Sequence, residues 1–394
     1  MTTMWNRQEL AIAQGCLTNS KHPRSFVRGV TPTHAKWAYG CELMADRLYV
    51  DYICGLGANL IGWGNSAIAS ALADKLNFGF ALSLATENEV ICAESLKAIF
   101  PWVDRFKFLK TGSEACAAAV RIARVATGRT EVVSQGYHGW TDDFVSLTSP
   151  AHGVPARKWM ASDLDAITDR TAAVIVEPVI TDWSDNRRDE LLALRDRCSK
   201  VGAMLIFDEI ITGLRFLDHS VARHFHIEPD LICLGKALGG GMALAAVGGK
   251  RAVMDDPRYF VSSTFAGEVL PLIASTTLLD LLRRKKYDIA QIWNAGQKWI
   301  DRFNALAQPK GLKLVGYPTR GAFEGGEKIF ALFLQETARA GLLFCKSWFY
   351  NFCHPKHDEA TFIALERIFN TIEKVKLDGD VPTSPFAARV RANN

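Results

Sequence analysis

One lysine, Lys236, stands between an apolar run and a glycine-rich turn in PDLICLGKALGGG (229–241). An amine held among apolar neighbours has its charged form destabilised, which favours the free base needed to condense with a carbonyl. The successive glycines Gly239, Gly240 and Gly241 let the backbone approach a bulky ligand. Two carboxylates, Asp208 and Glu209, directly follow five apolar residues in AMLIFDE (203–209). An acid at a buried strand end needs a partner, because an isolated ionised carboxylate is costly there. A protonated ring nitrogen, an arginine or a metal ion would each serve. KTGSEA (110–115) follows an apolar run and opens a helix, where Gly112 permits close approach and Ser113 with its neighbours offers donors. Such a helix start suits a phosphate, although ordinary N-capping uses the same residue types. In GYHGW (136–140), Tyr137 and His138 belong to an aromatic cluster, and Tyr137 can stack on a flat heteroaromatic ring.

Each of these segments closes a strand-like run. The runs are 105–110, 131–134, 172–177, 203–208, 231–234 and 244–247, separated by helical stretches such as 113–127 and 189–201. Near-continuous apolar runs indicate strands buried on both faces, so the alternation predicts an α/β fold with a mainly parallel sheet covered by helices. In such sheets ligands collect at the carboxyl ends of the strands, which is where these polar residues fall. Residues 1–45 contain Pro23, Gly29, Pro32 and Gly40 and read as an N-terminal arm packing on a small domain. The large domain is expected over 46–270 and a smaller α+β domain over 271–394. The latter holds a long helical region (275–307), short segments at 312–315, 328–334 and 342–345, and an amphipathic helix near 358–375. The tail after Val381 is expected to fray.

The composition, 48% hydrophobic and 22% charged, excludes collagen-like, coiled-coil and disordered chains. A charge of +4, from 46 basic and 42 acidic residues, gives no reason to expect a nucleic-acid partner. Nine scattered cysteines without a C-x-x-C pair argue against a metal site or a disulfide framework. Neither a signal-peptide pattern nor a membrane-length apolar stretch is seen, so the cytoplasm is the expected compartment.

A phosphate cradle, a stacking aromatic, an acid for a ring nitrogen and a Schiff-base lysine are together what is needed to hold pyridoxal 5'-phosphate. The segments 110–129, 137–140, 172–178, 205–216, 229–255 and 263–267 resemble the fold-type I, class-III pyridoxal-phosphate enzymes, within them the glutamate-1-semialdehyde aminomutase-like branch. The resemblance runs from about Arg28 to the last helix. It implies Lys236 as the Schiff-base residue and Asp208 as the partner of the pyridinium nitrogen. Gly112 and Ser113 would bind the phosphate, joined by Thr264 from the neighbouring subunit of a homodimer. Tyr137 and Ile210 would lie on opposite ring faces, with Glu177 towards the phenolic oxygen and His138 among the cofactor-binding residues. Arg28 falls where the family has an arginine for the substrate carboxylate, and Arg215 is a second candidate.

The sequence also departs from the aminomutases. Leu56 stands where they have a tryptophan, and GWGN (62–65) with Trp63 replaces their Gly-His-x-His. The lid-like insertion after 137–139 is expected to be short, which disfavours amine exchange within one molecule. The expected activity is therefore an aminotransferase passing an amino group from a small-molecule donor to a keto or aldehyde acceptor. A second reading keeps the cofactor and changes the bond broken, giving a decarboxylase, aminomutase or other α-carbon chemistry, with the substrate group free or carried on a nucleotide or nucleic-acid base.

Overall fold

The computed structural model describes residues 4–141, 144, 157–158 and 163–383. Contacts group the chain into a first unit of Met1–Leu56, Ile61–Gly64 and Ile292–Asn394 and a second of Gly57–Leu60 and Asn65–Gln291. These units cut the chain at other residues than the division 1–45, 46–270 and 271–394, which stands as a proposal about folding parts.

The first unit begins with α1 (Met4–Ala11), then short turns, then β1 (Trp37–Tyr39), β2 (Glu42–Met44) and β3 (Leu48–Asp51). The first 45 residues are thus more ordered than proline and glycine content suggests, because the strand pairing is local and antiparallel.

The second unit holds α2 (Ser66–Ala73), α3 (Glu87–Ile99), β4 (Arg105–Leu109), α4 (Gly112–Thr127), β5 (Glu131–Gln135), β6 (Arg157–Lys158) and β7 (Thr171–Val176). It continues through α5 (Asp185–Val201), β8 (Met204–Asp208), α6 (Val221–Phe225), β9 (Leu231–Leu234), β10 (Ala245–Gly249), α7 (Arg251–Met254) and α8 (Val269–Arg283). Its seven strands are ordered β4-β10-β9-β8-β7-β5-β6. The four pairings from β9 to β6 are parallel, and the two made by β10 are antiparallel. The mainly parallel sheet expected from the buried runs is present; all six residues of β7 are buried. Direction was not readable from those runs. Only residues 235–244 join β9 to β10, shorter than the dozen or more that a parallel crossover needs, so β10 returns antiparallel.

Helix α4 packs across β7 to β10 through an inner face of small residues, among them Ala115, Cys116, Ala119 and Ala123. Its start is fixed by a capping box. Thr111 Oγ1 accepts the Glu114 amide, while Glu114 Oε2 accepts the amides of Lys110 and Thr111. Gly128, with φ +68°, ends it in the left-handed conformation.

The long helical region expected over 275–307 is α8 followed by α9 (Ile289–Ala307), with a short connection between them. Helix α8 is stopped at Lys285 (φ +54°), where the Lys286 amide bonds back to the Leu281 carbonyl. No glycine or proline marks that stop. The basic run is a helix end, with Arg283 and Arg284 both bonded to Asp280.

The rest of the first unit comprises β11 (Leu312–Tyr317), β12 (Arg320–Gly325), α10 (Glu327–Arg339), β13 (Leu342–Leu343), β14 (Ser347–Phe349) and α11 (Asp358–Thr371). Segment 328–334 lies inside α10. Strand β13 joins β3 in parallel, which ties early and late sequence into one sheet. Tyr52, Trp299, Phe303, Phe344 and Trp348 form an aromatic core, with Tyr52 stacked on Phe344 at 4.5 Å.

Candidate active site

Strands β8 and β9 run side by side with Asp208 opposite Cys233, and the Glu209 amide bonds to the Cys233 carbonyl. The acid thus ends one strand, and Lys236 follows the end of its neighbour by two residues. Lys236 takes a left-handed backbone (φ +46°). That conformation costs a non-glycine residue about 1–3 kcal/mol and recurs where a side chain must be aimed.

Ile210 links this edge to the start of α4. A Cβ built on Gly112 would lie 3.0 Å from Ile210 Cγ2, and one on Gly235 would lie 3.0 Å from Ile210 Cδ1. Both glycines therefore admit Ile210 between the helix start and the turn before Lys236. Gly239 and Gly240 serve packing against the protein: a Cβ on Gly240 would meet Ile68 Cδ1 at 3.0 Å and the Ala274 carbonyl at 3.3 Å.

The two adjacent carboxylates have different surroundings. Glu209 is fully buried and accepts from Ser220 Oγ, Thr212 Oγ1 and the amides of Val221 and Ala222, which close the start of α6. Burial raises its pKa against those four bonds. Asp208 instead accepts His138 Nδ1 at 2.8 Å and the Cys116 thiol at 3.3 Å on Oδ2, and the Ile210 amide at 3.1 Å on Oδ1. Burial disfavours a charged His138, but its bonds to Asp208 and Cys116 outweigh that, and its pKa is pushed up to about 10. Cys116, His138 and Asp208 gather their ligand-type atoms within 4.8 Å. A contact of 2.8 Å suits a shared proton, whereas two ligands on one tetrahedral ion with bonds of 2.0–2.3 Å stand about 3.4 Å apart.

At the start of α4, the capping box uses the Glu114 amide and leaves those of Gly112 and Ser113 without a partner within the helix. Gly139 (φ +103°) crosses close above, where a Cβ would fall 2.2 Å from Ser113 Oγ, and the Trp140 amide donates to that oxygen at 3.4 Å. Tyr137 is exposed, and its amide donates to Glu177 Oε1 at 2.7 Å. Arg187 supports this corner by donating to Gln135 Oε1 and the Glu177 carbonyl. Thr264 is exposed in the turn before α8. Lys110 Nζ bonds to Glu268 Oε2 at 2.6 Å and holds that turn to the β4–α4 junction.

In the first unit, Arg28, Leu56 and Trp63 line one largely apolar cavity of about 580 Å³. Trp63 is fixed there by paired backbone bonds with Gly40. Arg215 is buried in the second unit and donates to the carbonyls of Gly57 and Asn59. The segment expected to form a short lid lies almost wholly outside the described residues, as do Pro385 and the residues after it in the tail.

The sequence profile described as "Aminotransferase class-III" matches residues 28–162 and 156–344. The chain belongs to the class-III aminotransferase family. It is similar to the glutamate-1-semialdehyde 2,1-aminomutase of Aquifex aeolicus, 28% identical over 83% of this chain and 88% of that protein. The aminomutase of Pyrobaculum calidifontis is 31% identical over 72% of this chain and 71% of its own length. The fold is that of the Sphingopyxis sp. MTA144 FumI protein in its PLP internal aldimine form (TM-score 0.87, 23% identity, 96% of this chain and 97% of that one). An omega-transaminase from Sphaerobacter thermophilus also shares it (TM-score 0.82, 20% identity, 94% and 97% covered).

Class-III aminotransferases use pyridoxal 5'-phosphate, and the residues of the second unit fit it. Free amides at a helix start suit the phosphate. Asp208, with three of about four acceptor positions filled, keeps one for a ring N–H. Among the described residues, no helix is long and apolar enough to cross a membrane. Sequence reasoning missed Cys116 beside Asp208, Glu114 in the cap and Arg187 under Glu177. The spacing Gly112 to Cys116, one helical turn along a face of small residues, was the available signal for the first.

Proposed function

We propose that this class-III enzyme is an aminotransferase of the aminomutase-like branch, moving an amino group from a small-molecule donor to a keto or aldehyde acceptor. The carrying observation is that Asp208 and Lys236 close neighbouring parallel strands at the carboxyl edge of one sheet. When bound, pyridoxal 5'-phosphate supplies an electron sink for the bonds at the carbon bearing the substrate amine. Lys236 is its covalent anchor and, once released, the base that carries a proton from that carbon. Asp208, oriented by His138, holds the proton on the ring nitrogen. Gly112 and Ser113 bind the phosphate, Ile210 and Tyr137 cover the two faces of the ring, and Glu177 lies on the phenolic side.

In this reading Arg28 receives a substrate carboxylate and Trp63 borders the substrate. The enzyme works in the cytoplasm as a homodimer in which Thr264 completes the partner's phosphate site. Support for the dimer comes from the exposed apolar residues Leu76, Phe78, Leu82, Leu84 and Phe260 of the second unit, more than an isolated subunit ordinarily leaves in water.

The test is a half-reaction screen in which purified holoenzyme meets single amino compounds and the cofactor's visible absorbance is followed. Conversion to the amine form with release of a keto product supports transamination, and Lys236→Ala abolishes the starting band. Carbon dioxide release without a keto product, or no conversion with any donor, overturns the proposal.

A further inference from the structure

We infer that Cys116 is a positioning residue for Asp208: its thiol fills one acceptor position on Oδ2 and so fixes which oxygen of the acid is presented to the cofactor's ring nitrogen. This rests on the assignment of Asp208 to that nitrogen. A carboxylate offers about four acceptor positions, two on each oxygen. Oδ2 receives both His138 Nδ1 at 2.8 Å and Cys116 Sγ at 3.3 Å, so it is saturated. Among the described residues, Oδ1 receives the Ile210 amide alone, at 3.1 Å, and keeps one position. Three donors from three elements, α4, the turn after β5 and the turn after β8, thus hold the carboxylate against rotation.

The thiol is suited to this. Cys116 is 1% exposed, and burial with its neighbours Cys233 and Asp208 raises its pKa well above the usual thiol range, so it stays a proton donor. Cys233 shares a side-chain hydrogen bond with Cys116 and also donates to the Ala115 carbonyl at 3.6 Å. Cys116 also lies one turn from Gly112 and Ser113 on α4. A single helix therefore presents amides to the phosphate at its tip and a thiol to the ring's acid one turn later. The two grips on the cofactor share one rigid body, and removing the thiol loosens one of them without touching the other.

The test compares Cys116→Ala, which deletes the donor, with Cys116→Ser, which keeps one. In apoprotein, the infrared S–H stretch that vanishes in Cys116→Ser should lie below the band of free thiols and move upward in Asp208→Asn. Cofactor affinity, followed by fluorescence, should weaken about twofold to tenfold in Cys116→Ala, as the fraction of Asp208 held in the binding orientation falls, and recover in Cys116→Ser. The absorbance maximum of the bound cofactor should shift in the alanine variant only. An S–H band at the free-thiol position overturns the inference, as does equal cofactor binding by all three proteins. Equal loss in both variants overturns it too, since that marks a packing role. If the wild-type protein shows all these signatures yet transfers no amine, the proposed reaction fails while this inference stands.

Discussion

His138 should remain protonated in apoprotein far above neutral pH, and Asp208→Asn should end that. The ring is 3% exposed, and burial alone would drive its proton off. Nε2 is buried without a hydrogen-bond partner among the described residues, so the compensation enters on the Nδ1 side, from Asp208 with Cys116 beside it. Moving the midpoint from 6.5 to about 10 corresponds to about 5 kcal/mol favouring the charged ring. Because the folded pKa is raised, the stability it contributes is complete below pH 6.5 and is lost as pH climbs through about 10. The assay is NMR of histidine-labelled apoprotein, with His138 identified among nine histidines by its loss in His138→Gln. Wild-type His138 should titrate near pH 10, and in Asp208→Asn its midpoint should fall markedly, since Cys116 alone is then left to oppose burial. A wild-type midpoint at or below 6.5 would refute the reasoning, because the bond to Asp208 would then not be holding the proton on the ring.

Three further outcomes follow from the geometry. Gly139→Ala places a methyl 2.2 Å from Ser113 Oγ at a φ of +103°, so cofactor retention in equilibrium dialysis should fall at least about tenfold; unchanged retention would show that Ser113 is not part of the cradle. Glu209→Gln turns an amide towards donors that need an acceptor, so unfolding should become easier by about 3 kcal/mol while the bound cofactor's spectrum stays as in wild type. A changed spectrum would mean that Glu209 reaches the cofactor. Burial raises the Asp51 carboxyl to about 6 despite the Ile53 and Cys54 amides, so its stability contribution is complete below 3.8 and lost as pH rises through 6. Asp51→Asn should therefore stabilise the protein by up to about 3 kcal/mol at pH 8 and not near pH 4, read from melting temperatures; a gain equal at both pH values would rule out titration as the cause.

The sheet was legible because burial on both faces leaves strands almost purely apolar, and β7, β8 and β9 are read nearly to the residue. What composition hides is geometry imposed by connections. The direction of β10 depends on the ten residues before it, and the helix stop at Lys285 uses a left-handed lysine where a glycine would have signalled it. Pairing of β13 with β3 is equally invisible, since the partners are separated by most of the chain.

The site shows the same division at finer scale. The pair Asp208–Glu209 announces that something polar ends a buried strand, yet neither residue type says which acid is functional. Successive residues of an extended chain point to opposite faces, so one of two adjacent acids must face α4 while the other turns away from it. Asp208 faces the thiol of Cys116 and the ring of His138, donors that leave it one open acceptor position. Glu209 faces the start of α6, where four donors from Thr212, Ser220, Val221 and Ala222 saturate it. Acceptor capacity therefore separates the roles: a carboxylate whose positions are all filled by the protein holds structure, and one with a vacancy can take a ligand. That vacancy depends on Cys116 and His138, which precede the acid by 92 and 70 residues: the packing of α4 against β8 brings the first to it, and the sheet order β8-β7-β5 brings the second, on the turn after β5.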